Sequence, residues 1–178
     1  MVEMVTGQAR AQCMDSQQLG LLIDRHAAAL ELYARQWCDE PEDVVQEAFV
    51  QLAGQSSLPG NAAAWLFRVV RNGAINAGKA RRRRLRRETE AAEETRPWFE
   101  PESSVPDRSS VDAESAQAAL AGLPLEQRET IVAHVWGGLT FEQIAELAGI
   151  SSSSAHRHYH AGLTALRARL GISCETNP

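Results

Sequence analysis

The sequence predicts an all-α protein with two small helical domains joined by a flexible acidic linker, the second domain being a helix-turn-helix. Apolar residues recur at three- and four-residue steps, and no sustained two-residue alternation marks a strand. Between residues 88 and 111 the periodicity gives way to a stretch rich in acids, Ser and Pro. We therefore expect a tail (1–15), a first domain (16–87), a linker (88–111), a second domain (112–172) and a tail (173–178).

The composition is that of a soluble globular protein, with 44% hydrophobic and 23% charged residues in a chain of 178. No apolar run approaches the roughly 20 residues that span a bilayer, and the N-terminus lacks the pattern of a signal peptide. Cys13, Cys38 and Cys174 lie too far apart for a metal or redox motif. We expect a cytoplasmic protein without membrane contact, metal or cofactor.

Catalytic patterns are also missing from the sequence. It contains no recognisable nucleophile–base pair, no glycine-rich phosphate loop and no array with the spacing of zinc ligands. The acid-rich stretches have the pattern of solvated helix faces and a linker rather than of paired catalytic carboxylates. We therefore predict that the protein is not an enzyme and assign it no catalytic residues.

The net charge of −5 is distributed very unevenly. Counting Lys and Arg against Asp and Glu, residues 1–60 carry −6, residues 61–87 carry +9, residues 88–130 carry −8, and the remainder is neutral. A basic block without a single acid attracts phosphate strongly at low salt. The block therefore suggests contact with nucleic acid, although a merely solvated arginine run has the same composition.

Two helices are predicted before the basic block. The first covers residues 16–37, and the second runs from Pro41 to about Ala53. Proline is favoured at the first position of a helix, and the acids Glu42 and Asp43 suit the positive end of its dipole. The apolar stripe of the second helix leaves four side chains on the exposed face: Asp43, Gln46, Glu47 and Gln51.

A third helix opens near Asn61 and carries much of the basic block. Its apolar side includes Trp65, Leu66 and Val70. Along the opposite side, basic and amide residues follow one another at helical spacing without a carboxylate, and such groups suit phosphates and base edges. This face consists of Arg68, Asn72, Asn76 and Lys79.

The clearest local motif is a helix-turn-helix within residues 139–170, and Thr140 with Gln143 three residues later predicts a capping box at the start of its first helix. Ala145 allows two helices to approach closely, Gly149 permits a positive backbone angle in the turn, and Ala155 packs beneath the crossing. A purely structural helical hairpin remains the alternative. Against it stands a polar surface where a recognition helix would enter the major groove, formed by Thr140, Ser152, Ser153, Ser154, His156, Arg157 and His160.

Three segments resemble a bacterial RNA polymerase sigma factor of the two-domain extracytoplasmic-function (ECF) type. EDVVQEAFVQL at 42–52 is similar to the family's polymerase-binding helix. NAAAWLFRVVRNGAINAGKARRRR at 61–84 is similar to the helix that recognises and melts the minus-ten promoter element. Residues 123–170 resemble the domain that recognises the minus-thirty-five element. The resemblance covers about two-thirds of the chain.

The resemblance implies a function and a set of partners. The protein would bind core RNA polymerase and direct promoter recognition, DNA melting and transcription initiation. Its partners would be the clamp coiled coil of the largest subunit, the flap of the second largest, and double- and single-stranded promoter DNA, with an anti-sigma protein left open. The polymerase would contact Asp43, Gln46, Glu47 and Gln51, and the minus-ten element would contact Trp65, Arg68, Arg71, Asn72, Asn76 and Lys79.

The recognition helix departs from the family pattern. His156, His158 and Ala161 stand at positions that are commonly basic, which leaves Arg157 alone and predicts weak or pH-dependent binding to the minus-thirty-five element. The second domain is then mainly an anchor, and the first chooses and melts the promoter. Two alternatives stay open: a free-standing helix-turn-helix regulator of duplex DNA, and an RNA-binding arginine-rich protein. Trp98 and Phe99 in the linker are not assigned a role.

Overall fold

A computed structural model describes residues 15–91 and 113–171, with no side-chain placement for 88–91, 113, 114 and 117. The predicted linker beyond residue 91, with Trp98 and Phe99, and most of both tails lie outside the described residues. Every regular element in the described ranges is helical, so the all-α prediction is confirmed. No helix there is both long and apolar enough to cross a membrane.

Three helices form an N-terminal bundle: α1 (Ser16–Ala34), α2 (Pro41–Ala53) and α3 (Ala62–Ala91), each of which contacts the other two. Asp15 caps α1 by accepting a hydrogen bond from the backbone N–H of Gln17. Proline opens α2 as predicted, with two acids in the first turn. The third helix continues past residue 87 because the segment that follows contains good helix formers and no Gly or Pro.

The first helix ends three residues earlier than the sequence predicts. It stops at Ala34, and a turn over residues 35–37 leads the chain toward α2. Trp37, the last residue of the predicted helix, lies in this turn with its ring 5.0 Å from that of Tyr33. Extended backbone is favoured before a proline, so the chain must leave the helix before it reaches Pro41.

A C-terminal bundle contains the remaining elements: α4 (Ala113–Ala121), α5 (Leu125–Ile131), a π-helical turn (Val132–Trp136), α6 (Phe141–Ala148) and α7 (Ser152–Leu170). Thr140 and Gln143 form the predicted capping box at the start of α6. Ser151 caps α7 by accepting a hydrogen bond from the N–H of Ser154. Gly149 adopts the predicted left-handed conformation, with φ of 71°.

The two bundles pack directly against each other and share one hydrophobic cluster. Leu30, Tyr33 and Phe67 from the N-terminal bundle are fully buried together with residues of the π turn and α6. The absence of a side chain at Gly137 allows the two bundles to approach closely, because a Cβ there would lie 2.5 Å from Cζ of Phe67. A smaller cluster around Ile131 belongs to the C-terminal bundle alone.

A buried carboxylate links the bundles at the edge of this cluster. Tyr33 donates a hydrogen bond from its hydroxyl to Oε1 of Glu129 at 2.7 Å, and Nε of Arg71 donates to the same oxygen at 2.6 Å. Only 6% of the Glu129 side chain and 24% of the Arg71 side chain are exposed. We call this three-residue contact the Glu129 bridge. Both partners of Glu129 in it come from the other bundle.

A substitution of Gly149 tests the geometry of the helix-turn-helix. Gly149→Ala should lower the free energy of unfolding by about 1 kcal/mol, because a Cβ strains a left-handed residue even where space is open. Gly20→Ala is the control, since Gly20 lies within α1 without a positive φ or a close neighbour. This control should raise stability by roughly 0.5–1 kcal/mol. Urea unfolding followed by circular dichroism measures both, and equal effects of the two substitutions would contradict the turn geometry.

The Glu129 bridge predicts an abnormal tyrosine titration. Burial, and then the neighbouring Glu129 carboxylate, raise the pKa of Tyr33 well above its usual value of about 10. The chain has two tyrosines, so subtracting the ultraviolet titration of Tyr33→Phe from that of the native protein isolates Tyr33. The difference should show one tyrosine that ionises well above pH 10. Ionisation at or below pH 10 would mean that the Tyr33 hydroxyl is not buried against Glu129.

Candidate polymerase and DNA interfaces

The exposed face of α2 is polar and acidic, as the sequence predicts. All four side chains expected to meet the polymerase are exposed: Asp43, Gln46, Glu47 and Gln51. The Gln51 amide donates to Oε1 of Glu47 at 3.1 Å, which holds these two side chains side by side. Asp43, Glu47 and Gln51 also line a groove between α2 and α3 whose other wall carries Asn72 and Asn76. The structure thus joins two residue sets that the sequence predicts separately.

The polar face of α3 continues from this groove. Asn72, Asn76 and Lys79 are exposed, and Trp65 near the start of the helix is half-buried against the shared hydrophobic cluster. Arginines 81–84, 86 and 87 are exposed as well, and Arg81 forms an ion pair with Asp39 in the loop before α2. The basic block therefore forms one continuous, largely solvated stretch of helix.

Two residues predicted to meet minus-ten DNA, Arg68 and Arg71, contact the C-terminal bundle in this structure. Arg71 is held in the Glu129 bridge, and its guanidinium also lies 5.8 Å from the centre of the Trp37 ring. Burial opposes its charge, but the hydrogen bond and charge of Glu129 outweigh burial, so the pKa of Arg71 is raised. Arg68 makes a longer contact, 3.5 Å from Nη2 to Oε2 of Glu146 on α6. The face of α3 predicted to be free of carboxylates thus receives one from the other bundle, that of Glu146 beside Arg68.

Glu129 is the residue that sequence reasoning missed. In the sequence it is one acid among many, and its partners lie 58 and 96 residues away. A local signal does exist. Glu129 precedes the buried Val132 and Ala133 by three and four residues, which places a carboxylate on an apolar stripe. A charge in that position needs a buried partner.

The predicted recognition surface on α7 separates into two groups. Ser153, His156, Arg157 and His160 are exposed on its N-terminal half. The hydroxyls of the other three predicted residues, Thr140, Ser152 and Ser154, make hydrogen bonds within the protein. The Thr140 hydroxyl accepts a hydrogen bond from the backbone N–H of Gln143. Ser152 donates to Glu142 on α6, and Ser154 hydrogen-bonds to Ser151 and Arg157.

Aromatic and imidazole rings support the exposed half of α7. The rings of Phe141, His134 and Tyr159 contact one another, and Phe141 also contacts His156 at 5.1 Å between ring centres. His156 and His160 approach within 3.1 Å through their Nε2 atoms. No group of three or more His, Cys, Asp or Glu side chains is placed to hold a metal ion in residues 15–91 and 113–171. The contacts among these aromatic and imidazole rings thus determine how the exposed side chains on the N-terminal half of α7 are arranged.

Comparison with known proteins matches both bundles to regions of one family. Residues 22–87 match the model of sigma-70 region 2, and residues 113–166 match that of sigma-70 region 4. The ECF RNA polymerase sigma factor SigL of Mycobacterium tuberculosis, from strain H37Rv and likewise from strain CDC 1551, is 33% identical over 158 residues. The alignment covers 84% of this chain and 86% of the relative.

Solved structures share the fold. The sigma factor RpoE in complex with the anti-sigma factor NepR from Bartonella quintana aligns with a TM-score of 0.61 and 23% identity, over 88% of this chain and 96% of that one. CnrH in complex with the cytosolic domain of CnrY aligns with a TM-score of 0.55 and 23% identity, over 93% and 95% of the two chains. With region 2 and region 4 in order and a curated relative over most of its length, the chain belongs to the ECF sigma factors, which direct promoter recognition by RNA polymerase.

Proposed function

We propose that the two bundles divide the work of promoter recognition. The N-terminal bundle binds core polymerase through α2 and holds the melted minus-ten strand on α3. The C-terminal bundle anchors the duplex at the minus-thirty-five element and meets the flap of the second-largest subunit. The observation that carries this proposal is the groove in which the acids of α2 face the asparagines of α3, because it joins a protein-binding surface to a DNA-binding one.

For the polymerase, the proposed contact is the clamp coiled coil of the largest subunit. The side chains of the α2 face that would meet it are Asp43, Gln46, Glu47 and Gln51. Their exposure leaves them free to meet a basic partner, and complementary charge accelerates association as well as fixing orientation. The match of residues 22–87 to sigma-70 region 2 supports this assignment.

For the minus-ten element, the proposed surface consists of Trp65, Arg68, Arg71, Asn72, Asn76 and Lys79, and we call it the minus-ten surface. Asparagine amides pair with base edges, and the cations bind the phosphates of an opened strand. Trp65 can offer part of its ring to a base, since it is half-buried rather than enclosed. Residues 54–60, which lead directly into α3, are the proposed site for a flipped base.

For the minus-thirty-five element, the proposed contacts come from the N-terminal half of α7. Ser153, His156, Arg157 and His160 meet DNA directly. Thr140, Ser152 and Ser154 act through the caps and cross-links that fix α6 and α7. A single arginine predicts weak binding by this bundle alone, which fits the role of an anchor held near DNA by the polymerase.

The setting of the protein follows from this role. Because sigma factors act on the polymerase at promoters, we propose that the protein works in the cytoplasm, while the chemistry of RNA synthesis belongs to the polymerase. We further propose an anti-sigma partner, since two solved structures that share its fold are complexes, one of a sigma factor with an anti-sigma factor and one of CnrH with the cytosolic domain of CnrY. A free-standing regulator of duplex DNA and an RNA-binding protein are disfavoured, because neither explains the match to region 2 beside region 4.

Transcription by purified core enzyme tests the proposal. Core polymerase with the native protein should start RNA synthesis on genomic DNA at a defined set of sites that core alone does not use. Glu47→Lys should reduce core binding and transcript yield at least tenfold, because it reverses a charge at the centre of the proposed contact. Asp24→Lys is the matched control, since it makes the same charge change on the exposed surface of α1.

The results separate the alternatives. Normal core binding by Glu47→Lys would remove the α2 face from the proposal. Absence of any new transcript with the native protein would remove the promoter-directing role. Equal affinity of the native protein for RNA and for single-stranded promoter DNA would favour the RNA-binding alternative.

A further inference from the structure

We propose that His156 and His160 on α7 form a two-histidine site for a divalent transition-metal ion of the class that prefers imidazole nitrogen, such as Zn²⁺ or Ni²⁺. The two residues are four positions apart, so their side chains lie on the same face of the helix. Both are exposed, and their Nε2 atoms lie 3.1 Å apart. The metal site rests on this geometry, while its effect on DNA rests on the proposed function of α7.

The separation of the two nitrogens is the one that a shared metal ion requires. Zn–N bonds measure about 2.0–2.1 Å, and two ligands subtend about 109° at a tetrahedral ion or 90° at an octahedral one. Two nitrogens that share an ion are therefore about 2.9–3.4 Å apart. The observed 3.1 Å falls within this range, and rotation about the broad χ2 torsion of each ring aims both nitrogens at one ion.

A hydrogen bond between two neutral imidazoles explains the same distance when no metal is bound. In that bond one Nε2 donates its proton and the other accepts it. When an ion binds, the donor ring exchanges protons with solvent and keeps its single proton on Nδ1 instead. Both Nε2 atoms then offer a lone pair to the ion. The hydrogen-bonded pair is thus the metal-free form of the same site.

Aromatic neighbours hold the two rings in place. Phe141 on α6 contacts the ring of His156 edge-to-face, with 5.1 Å between ring centres. Tyr159 contacts the ring of His160 in the same manner at 5.5 Å. Because these contacts already restrict the two imidazoles, less side-chain freedom is lost when they bind an ion.

Two neighbours of the pair on α7 project from other sides of the helix. Arg157 follows His156 directly, and its guanidinium donates a hydrogen bond to Ser154. His158, two positions from each member of the pair, is half-buried, and its Nδ1 is enclosed by protein. The site thus consists of two imidazoles rather than three.

The coordination shell of such an ion is left open on the solvent side. Within the part of the chain that the structure describes, no third His, Cys, Asp or Glu joins the pair. The open positions can take water, a phosphate oxygen or N7 of a purine, which is exposed in the major groove. Among the predicted contacts on α7, Arg157 alone carries a permanent charge. A bound ion would add two positive charges to this surface and strengthen its attraction to duplex DNA.

Titration of the full chain with Zn²⁺, followed by NMR of the imidazole nitrogens, tests the site. The Nε2 signals of His156 and His160 should shift together, with a Kd on the order of 10 µM. His156→Gln and His160→Gln should each weaken binding at least about tenfold, because the second nitrogen no longer binds within the same molecule. His26→Gln is the matched control, since it makes the same change on α1, and it should bind Zn²⁺ as the native protein does.

The effect on DNA is measured with a labelled duplex that spans a mapped minus-thirty-five element, at fixed salt. Saturating Zn²⁺ should tighten binding by the native protein and by His26→Gln roughly three- to tenfold. It should leave the affinity of His156→Gln unchanged. Mg²⁺ at the same concentration controls for ionic effects, because this ion prefers oxygen ligands and should leave all three proteins unchanged.

Several results would overturn the inference. Binding that needs millimolar Zn²⁺, or that is unchanged in His156→Gln, would mean an adventitious ion only. Shifts confined to other histidine nitrogens would place the ion elsewhere. Bound Zn²⁺ without any change in duplex affinity would remove its role on the recognition surface. Failure of the native protein to direct transcription would instead count against the proposed function, and the Zn²⁺ titration would still decide the metal site.

Discussion

The arrangement of the whole molecule depends on one buried carboxylate. Glu129 lies in an interface where an unpaired charge is costly, and its two partners in the Glu129 bridge come from the other bundle: the Arg71 guanidinium, which neutralises it, and the Tyr33 hydroxyl, which donates a hydrogen bond. A hydrogen bond to a charged group contributes about 1.5–3 kcal/mol, but only in one geometry. Apolar packing around Phe67 brings the bundles together, and the Glu129 bridge fixes how they meet.

Because the Glu129 bridge fixes how the bundles meet, it also determines which polar surfaces face solvent and which face the other bundle. The acids of α2 and the exposed half of α7 face solvent, whereas Arg68 and Arg71 on α3 face carboxylates of the C-terminal bundle. The available surfaces are those proposed for the polymerase and for duplex DNA, and the occupied one is proposed for the melted strand.

Local chemistry made much of the structure predictable from the sequence. The capping box of Thr140, the left-handed Gly149 and the proline start of α2 each depend on a few neighbouring residues, and all three are confirmed. The packing between the bundles was not predictable in this way. The sequence around Arg71 has the same composition and helical spacing whether its guanidinium binds a phosphate or the carboxylate of Glu129. The position of Glu129 on an apolar stripe predicts that it has a buried partner, but it does not identify Arg71, 58 residues away in the chain, as that partner.

The distance between the bundles, compared between the native protein and Glu129→Lys, tests the central claim most directly. Spin labels attached at the exposed positions Gln55 and Arg167, in a protein whose three native cysteines are replaced, would report this distance by pulsed electron paramagnetic resonance. The account predicts one short, narrow distance distribution for the native protein and a longer, broader one for Glu129→Lys, which loses the carboxylate that binds Arg71 and Tyr33. An identical short distance in both proteins would contradict it, because the Glu129 bridge would then not determine how the bundles meet.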